Sequence, residues 1–345
     1  MQRALLKEID LRAAEISSLP IETIYLGGGT PSLWTPHDIE ALFSKITSIN
    51  DQVQLKEVTI ECNPDDLSTP YLLDLKRHTP VRRISIGIQS FHDDDLRVMN
   101  RSHDALEARK ALDRIFQVGF EAVSADLIFG LPGSTLEKWQ TNLSTMLEYP
   151  IDHISCYNLT IEERTAIHYM LRKGLLELPD DQTALDQYYA AREYLMDSGY
   201  IHYEISNYAL PGRMAVHNTN YWKNKPYIGI GPSAHSYDGF RRRWNVADNR
   251  KYVSALDSHD VFWETENLSE ADRYNEYLMT GLRTMWGIET SVVETFNEEI
   301  QQEFYQALRH GLDQGFLTQK GENVTLSLSG QALADQIIAD FFYVD

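Results

Sequence analysis

A set of polar residues follows the apolar, β-branched runs of this chain and could bind a polar ligand. In chain order the set comprises Gly27 to Thr30, Glu61, Gln89, Asp126, Asn158 and Asn207. Two carboxylates and an amide could bind hydroxyls and a cationic amine, and Arg101 adds a positive charge for a carboxylate. A nucleoside joined to an amino acid would need all of these groups. As the alternative interpretation, each residue could cap its own loop.

The first of these positions lies in the stretch TIYLGGGTP, residues 23–31, in which three glycines follow an apolar run. Glycines leave the backbone N–H and C=O groups accessible to a ligand and remove the Cβ atoms that would keep it away. The spacing matches neither the GxGxxG dinucleotide fingerprint nor a P-loop. A tight turn between a strand and a helix is the alternative interpretation.

The polar positions are predicted to lie at one edge of a parallel sheet. From about residue 21 to 210, runs rich in Val, Ile and Tyr alternate with helical patterns whose apolar residues lie three or four apart. This alternation is typical of parallel βα units. Six such units favour a barrel or partial barrel over an open sheet, and the carboxyl ends of barrel strands carry the site. The sequence therefore predicts an α/β fold with one shared pocket.

Two further segments follow the predicted barrel domain of residues 1–210. Residues 211–266 are rich in Gly, Pro, His and aromatic residues, and we expect them to lie over the barrel mouth or along one edge. Residues 267–345 combine helical patterns, a capping box at Ser269 and Asp272, and a terminal hairpin. This combination resembles a winged helix, so we predict a small α+β C-terminal domain.

Composition and charge exclude several classes of function. The 345 residues include 51 Asp or Glu and 31 Lys or Arg, which gives a formal net charge of −20. Residues 268–345 alone hold 13 acidic against 4 basic residues. This charge repels phosphate backbones and anionic membranes, so nucleic acid is not an expected partner. No apolar run is long enough for a membrane span and no signal segment is recognisable, so we predict a cytoplasmic protein.

The sequence also contains seven longer motifs: YLGGGTPSLW, IECNPDD, SIGIQSFHDDDLRVMNRSHDALEA, DLIFGLPGSTLEKW, CYNLTIEERT, HNTNYW and YIGIGPSAHSY. Together they resemble the radical S-adenosylmethionine family of oxygen-independent coproporphyrinogen oxidases, and most closely its shorter branch of heme chaperones. The resemblance implies a partial (β/α)6 TIM-like barrel. It also implies an S-adenosylmethionine site formed by Gly28, Gly29, Thr30, Glu61, Gln89, Arg101 and Asp126.

The family also binds a [4Fe–4S] cluster through a CxxxCxxC motif, which this chain does not contain. Its two cysteines, Cys62 and Cys156, lie far apart and are expected to be buried thiols. The first helical pattern starts at Met1 without a capping residue. We therefore expect the first βα unit, with the cluster ligands, to lie upstream of Met1. A family member that has lost radical chemistry is the alternative, and in either case this chain should not cleave S-adenosylmethionine.

The motif HNTNYW matches the HNxxYW motif of the heme-chaperone branch. His217 could ligate heme iron, while Tyr221 and Trp222 could stack on the macrocycle. A hydrogen-bonded histidine in a turn, with two aromatic residues in the core, is the alternative. His235 is a second candidate ligand, and Arg241 to Arg243 could bind the heme propionates or form a solvated loop.

The resemblance leaves two activities open. A chaperone would bind heme and S-adenosylmethionine and pass heme to an acceptor protein of unknown identity. An oxidase would use a 5′-deoxyadenosyl radical to abstract hydrogen from a propionate of coproporphyrinogen III, which leads to decarboxylation. A catalytically silent barrel whose acidic C-terminal domain docks a respiratory partner is a third hypothesis. The motif HNTNYW favours the chaperone.

Overall fold

The structure is a computed structural model that describes residues 1–163 and 165–344. Its strands are β1 Ile21–Leu26, β2 Val53–Cys62, β3 Arg83–Gln89, β4 Ala122–Phe129, β5 His153–Asn158, β6 Ile201–Glu204, β7 Asn207–Ala209, β8 His235–Tyr237, β9 Arg241–Asn245, β10 Trp263–Asn267, β11 Ile288–Glu289, β12 Leu317–Lys320 and β13 Asn323–Leu326. Its helices are α1 Gln2–Leu11, α2 Ala13–Ser17, α3 Pro36–Ile49, α4 Thr69–His78, α5 Asp93–Val98, α6 Ala105–Val118, α7 Leu136–Met146, α8 Ala166–Arg172, α9 Asp181–Asp197, α10 Val216–Trp222, α11 Asn249–Ser258, α12 Glu270–Gly281, α13 Thr290–Val293, α14 Glu298–Asp313, α15 Leu328–Ala332 and α16 Ala334–Ala339.

Seven strands form the main sheet in the order β1-β2-β3-β4-β5-β7-β6. Strands β1 to β5 are parallel neighbours in chain order, and helices connect them. Strand β7 is antiparallel to both β5 and β6. The sheet curls into a half barrel, so the predicted mixed α/β fold with a partial barrel is confirmed.

The sixth predicted strand differs from the expectation. The run HYEISNYAL forms the two short strands β6 and β7, so Asn207 begins a strand and does not end one. The Glu204 carboxylate accepts the backbone N–H of Ser206 at 3.1 Å and also contacts the Asn207 side chain. These local hydrogen bonds stabilise a turn in the middle of the run, and the turn reverses the chain.

Alternating residues give the parallel strands one apolar and one polar face, because side chains two apart in a strand share a face. The apolar face packs under the helices and includes the fully buried Ile60, Ile84, Ile86, Ile88, Ala125, Leu127 and Ile154. The residues between them are mostly polar and face the inside of the half barrel: Glu57, Thr59, Glu61, Arg83, Ser85, Gln89, Ser124, Asp126, His153 and Ser155. The interior of the barrel is therefore polar.

Helix starts are set by side chains that cap the free N–H groups of the first turn. The capping residues of five barrel helices each accept an N–H from the third residue along: Thr35, Ser68, Asp104, Thr135 and Asp180. The predicted capping box of Ser269 and Asp272 is present at the start of α12. The hairpin predicted near the C terminus is also present, as β12 and β13.

The segment after β7 packs along the β1 edge of the sheet and against α1. Its strands form a small antiparallel sheet in the order β10-β9-β8. The carboxylate of Glu8 in α1 is completely buried and accepts hydrogen bonds from Gly231 N at 2.8 Å, Asn245 Nδ2 at 2.8 Å and the Tyr252 hydroxyl. This carboxylate therefore joins the first helix to the segment.

The C-terminal helices α12 to α16 enclose a separate apolar cluster with the sheet β11-β13-β12. Phe304, Val324 and Leu278 are fully buried in it. In the described residues, each helix is too short or too polar to cross a bilayer.

Protonation of a buried histidine should link the stability of the barrel to pH. His153 Nε2 lies 2.8 Å from the Tyr203 hydroxyl, and burial lowers the pKa of His153 to about 3 from its ordinary 6.5. Between these pH values the unfolded chain binds the proton that the folded protein excludes. We therefore expect the free energy of unfolding to fall as the pH is lowered from 6.5, by roughly 1.4 kcal/mol per pH unit for this group.

Urea unfolding at pH 7.5 and 5.5 measures this effect. Between these two pH values the free energy of unfolding should fall by about 1.4 kcal/mol less in the variant His153→Gln than in the wild type. His37, whose side chain is 90% exposed, provides the matched control His37→Gln, which should keep the wild-type pH dependence. An equal loss in His153→Gln and in the wild type would contradict the assignment.

Candidate functional site

A pocket of about 240 Å³ lies at the carboxyl ends of β1 to β4. Six of the seven residues predicted to bind S-adenosylmethionine line it: Gly29, Thr30, Glu61, Gln89, Arg101 and Asp126. The seventh, Gly28, lies beside it and donates its N–H to Glu61 Oε2 at 3.1 Å. The structure thus brings the predicted set together. Their role as ligands of S-adenosylmethionine stays a prediction.

The three glycines meet two different constraints. Gly28 and Gly29 have φ angles of 73° and 147°, in the region that favours glycine. At Gly27 a Cβ atom would lie 2.5 Å from Tyr25 Cε1 and 2.8 Å from Glu61 Oε1, which is closer than real contacts allow. The triple glycine therefore forms a tight turn and also leaves room for the Tyr25 ring beside the Glu61 carboxylate.

Two buried polar atoms at the pocket lack a partner in the described part of the chain. They are Gln89 Oε1 and Arg101 Nε, although Arg101 also donates to Asn63 Oδ1 at 2.8 Å. Gln89 has a φ of 66°, an unusual value for a residue other than glycine. A buried polar atom without a partner costs free energy of about 1–3 kcal/mol, which a polar ligand could recover. The pocket therefore fits a ligand that offers both a carboxylate and hydrogen-bond donors.

Asp126 lies on the inner wall of the barrel, three residues before the end of β4, whereas the sequence pattern placed it at the strand end. Burial raises the pKa of Asp126 to about 6. A hydrogen bond with Ser155 opposes this shift, and the charge of Glu61 adds to it. Burial therefore disfavours the charged form of Asp126 at this pocket.

The cysteines do not supply a cluster site. Cys62 and Cys156 are both buried and free, and burial raises the pKa of each thiol. They lie on β2 and β5, with two strands between them. Among the described residues no group of three or more His, Cys, Asp or Glu side chains could hold a metal ion. These residues do not fit a [4Fe–4S] cluster.

A second cavity is a groove of about 850 Å³ beside β1, the edge strand of the sheet. We name it the heme groove, after the ligand that the sequence predicts. Its lining consists of Leu5, Ile9, Tyr25, Leu26, Gly27, Gly28, Leu42, Phe43, Ile46, His217, Tyr221, Tyr227, Ile228, Gly229, Ile230, Ala234, His235 and Arg242. A neighbouring cavity of about 420 Å³ shares His217 and Tyr25 with it. The size and apolar lining are typical of sites for cofactors, which measure roughly 300–1,000 Å³.

His217 is held at the groove from three directions. Its Nδ1 lies 2.9 Å from Thr23 Oγ1, and its ring stacks on Tyr25 at 5.0 Å with an interplanar angle of 18°. Its backbone N–H donates to Glu57 Oε1 at 3.0 Å. Burial lowers the pKa of His217, which favours the neutral imidazole. In the tautomer with the proton on Nδ1, this nitrogen donates to Thr23 and Nε2 presents its lone pair, as in metal-binding histidines.

The two aromatic residues of the motif occupy different environments. Tyr221 lines the heme groove, but Trp222 does not. Their rings meet edge-on at 5.6 Å, and Trp222 Nε1 is buried without a partner in the described residues. His235 lines the groove from the small sheet and stacks on Trp244 at 6.2 Å. The structure therefore brings Tyr221 and His235, but not Trp222, to the same cavity as His217.

The three arginines of β9 are not equivalent. Arg241 donates to Asp238 at 2.9 Å. Arg243 donates to Glu15 at 3.2 Å. Arg242 alone lines the heme groove. One of its terminal nitrogens lies 2.8 Å from a Glu276 oxygen, and its Nε is a buried atom without a partner in the described residues.

Sequence reasoning missed several residues that the structure places at these sites. Asn63 and Ser85 line the pocket. Tyr25 lines the groove and donates to Glu61 of the pocket, and Glu57 accepts backbone N–H groups of α10. The available signal was the alternation of polar residues with Ile, Val and Ala along β2 to β5. A sheet covered on both faces by helices would show continuous apolar runs instead.

Two family profiles match the sequence. Residues 2–145 match the Radical SAM superfamily, and residues 268–333 match the HemN C-terminal domain. The chain is 32% identical over 338 residues to the heme chaperone HemW of Lactococcus lactis subsp. lactis (strain IL1403), with 96% of the chain and 88% of that protein covered. It is 30% identical over 341 residues to the heme chaperone HemW of Bacillus subtilis (strain 168), with 98% and 90% covered.

A solved structure has the same fold over nearly the whole chain. It is the coproporphyrinogen III oxidase HemN of Escherichia coli, described as a radical SAM enzyme, with a TM-score of 0.83 and 22% identity. The match covers 99% of this chain and 82% of that one. At this identity the likeness shows the fold alone.

The close approach at Gly27 generates a stability prediction. Gly27→Ala should lower the free energy of unfolding by about 1–3 kcal/mol, because the new methyl group overlaps the Tyr25 ring and the Glu61 carboxylate. Urea denaturation measures the loss. In the double variant Tyr25→Ala/Gly27→Ala the overlap with the ring is gone, so the total loss should be smaller than the sum of the two single losses. Strict additivity would show that the ring is not the obstacle.

Proposed function

Because the chain belongs to the radical S-adenosylmethionine superfamily, in its HemW/HemN-like group, we propose that it is a heme chaperone that binds heme and transfers it to acceptor proteins. The observation that carries this proposal is the environment of His217. A neutral imidazole, oriented by Thr23, borders an apolar groove large enough for a cofactor. The two HemW relatives, each 30% or more identical over most of the chain, are named heme chaperones. The oxidase hypothesis rests on the fold likeness alone.

Heme would enter the groove beside β1 with its iron at His217 Nε2. Tyr221 would contact the macrocycle, and the apolar side chains of Ile228 and Ile230 would bury its edge. His235 borders the same groove and would be a second candidate to hold the iron. Apolar surroundings of this kind hold a flat hydrophobic ligand mainly by burying its surface.

The smaller pocket is the proposed site of S-adenosylmethionine, which in this superfamily supplies the 5′-deoxyadenosyl group for radical chemistry. Arg101 would bind its carboxylate, and Glu61 and Asp126 would accept its hydroxyl or ammonium hydrogens. Gly28 and Gly29 would let the backbone approach the ligand. The unpartnered Gln89 and Arg101 atoms support a polar occupant.

We also propose the domain organisation predicted from sequence, with a barrel domain of residues 1–210, a connecting segment of residues 211–266 and a C-terminal domain of residues 267–345. The last of these contains helices followed by the hairpin β12–β13, which supports a winged-helix-like domain. Its excess of acidic residues makes it a candidate surface for an acceptor protein with a basic face.

Replacement of the proposed iron ligand tests the function. His217→Ala should reduce the affinity for hemin by more than about tenfold and shift the Soret maximum, because an axial ligand is lost. Thr23→Val keeps the ligand but removes its orienting hydrogen bond, and should reduce the affinity by about 10- to 100-fold. Absorbance titration with hemin measures both.

His37→Ala is the matched control, since this exposed histidine at the start of α3 does not line the groove. Circular dichroism confirms that each variant is folded. Unchanged affinity together with an unchanged Soret spectrum in His217→Ala would remove His217 as the ligand.

The contrast among the β9 arginines gives a prediction about the propionates. Arg242→Gln should weaken hemin binding by about tenfold, because a charged hydrogen bond contributes about 1.5–3 kcal/mol. Binding of hemin dimethyl ester, which has no carboxylates, should change little. Arg241→Gln is the matched control, because Arg241 faces Asp238 and not the groove. Equal losses for hemin and its ester would assign Arg242 a structural role only.

A further inference from the structure

Tyr25 contacts both candidate sites at once. Its hydroxyl donates to Glu61 Oε1 at 2.6 Å, and Glu61 lines the S-adenosylmethionine pocket. Its ring stacks on the His217 imidazole at 5.0 Å and lines the heme groove. The Tyr25 side chain therefore links Glu61, a hydrogen-bond acceptor at the pocket, to His217, the proposed iron ligand at the groove.

The link depends on a close local fit. Gly27 has no Cβ, so the Tyr25 ring and the Glu61 carboxylate can lie against the same backbone position. A short hydrogen bond from a neutral donor to a carboxylate is stronger than one between neutral groups. Glu61 therefore holds the ring in its present position.

A ligand in the pocket would compete for this acceptor. The two Glu61 oxygens already accept hydrogen bonds from the Tyr25 hydroxyl and from Gly28 N. Hydroxyl or ammonium hydrogens of a bound nucleoside or amino acid would draw the carboxylate towards the pocket. Tyr25 would then lose its acceptor, and the ring that packs on His217 would lose the bond that fixes it.

We propose that Tyr25 is a positioning residue that couples the two sites, so that S-adenosylmethionine in its pocket weakens heme binding at His217. The inference rests on the proposed heme-chaperone function. Two states define the coupling. In the first, Glu61 accepts the Tyr25 hydroxyl and the Tyr25 ring packs on the His217 imidazole. In the second, Glu61 accepts hydrogen bonds from the ligand and the Tyr25 ring is no longer fixed. Binding free energies are reciprocal, so heme must weaken S-adenosylmethionine binding by the same factor. S-adenosylmethionine would therefore act as a signal for heme release.

Hemin titrations with and without saturating S-adenosylmethionine test the coupling. In the wild type we expect the dissociation constant for hemin to rise at least about fivefold with the ligand present. Tyr25→Phe keeps the ring but loses the bond to Glu61. This variant should bind hemin as weakly without S-adenosylmethionine as the wild type does with it, and should not respond to its addition. Tyr194→Phe, which changes an exposed tyrosine of α9 that lines neither cavity, should respond like the wild type.

A spectroscopic measurement separates this inference from the proposed function, because it needs no heme. The NMR signals of the His217 ring should shift when S-adenosylmethionine is added to the wild type, and should stay in place in Tyr25→Phe. A structural role for Tyr25 alone would not produce this difference.

The outcomes are distinct. If calorimetry with S-adenosylmethionine alone or titration with hemin alone shows no binding, the proposed function is wrong and the coupling fails with it. If hemin and S-adenosylmethionine both bind, but S-adenosylmethionine changes neither the hemin affinity nor the NMR signals of His217, the coupling is wrong and the proposed function stands. A response that persists in Tyr25→Phe would also overturn the role of Tyr25.

Discussion

The position of His217 at the groove depends on the buried ion pair between Arg83 and Glu57. Arg83 Nε lies 3.0 Å from Glu57 Oε2, and less than a tenth of each side chain is exposed. The Glu57 carboxylate also accepts the N–H groups of Val216 and His217, while Arg83 donates to the Arg213 carbonyl. The pair thus fixes the start of α10 to the barrel wall. Loss of one partner from a buried pair costs about 3–5 kcal/mol, because the other charge stays buried alone.

A polar barrel interior explains why the pair is found there. Helices cover the outer face of the parallel sheet, but the inner face carries charged and hydroxyl side chains that need partners. At the amino ends of the strands Arg83 and Glu57 are partners for each other, while Thr59 Oγ1 and His153 Nδ1 have no partner in the described chain. At the carboxyl ends, Gln89 and Arg101 keep atoms without partners in the described chain. The pocket at the carboxyl ends is therefore suited to a polar ligand.

The sequence was sufficient for the strand and helix alternation, for the helix caps and for most of the pocket residues. These features depend on local patterns, such as polar residues after apolar runs and glycines where no Cβ fits. Contacts between distant segments could not be predicted in this way. Glu57 reads as an ordinary strand residue, and it meets His217 across 160 positions of sequence. The different roles of Arg241 and Arg242 also depend on which partner lies opposite each one in space.

The turn that divides HYEISNYAL is a second feature that the sequence pattern did not predict. The run has the composition of one strand, but the local hydrogen bonds of Glu204 to Ser206 and Asn207 stabilise a turn that divides it into two. Trp222 was expected beside Tyr221 because the two are adjacent in the motif. Successive residues of a helix point about 100° apart, so only one of them faces the groove.

The buried Glu8 carboxylate has a consequence for ligand binding in the groove. It ties α1, which contributes Leu5 and Ile9 to one wall, to the loop at Gly231 and to Tyr252. These segments lose their conformational freedom when the protein folds, and not when a ligand binds. The groove is thus preorganised, and more of the contact free energy is available as affinity.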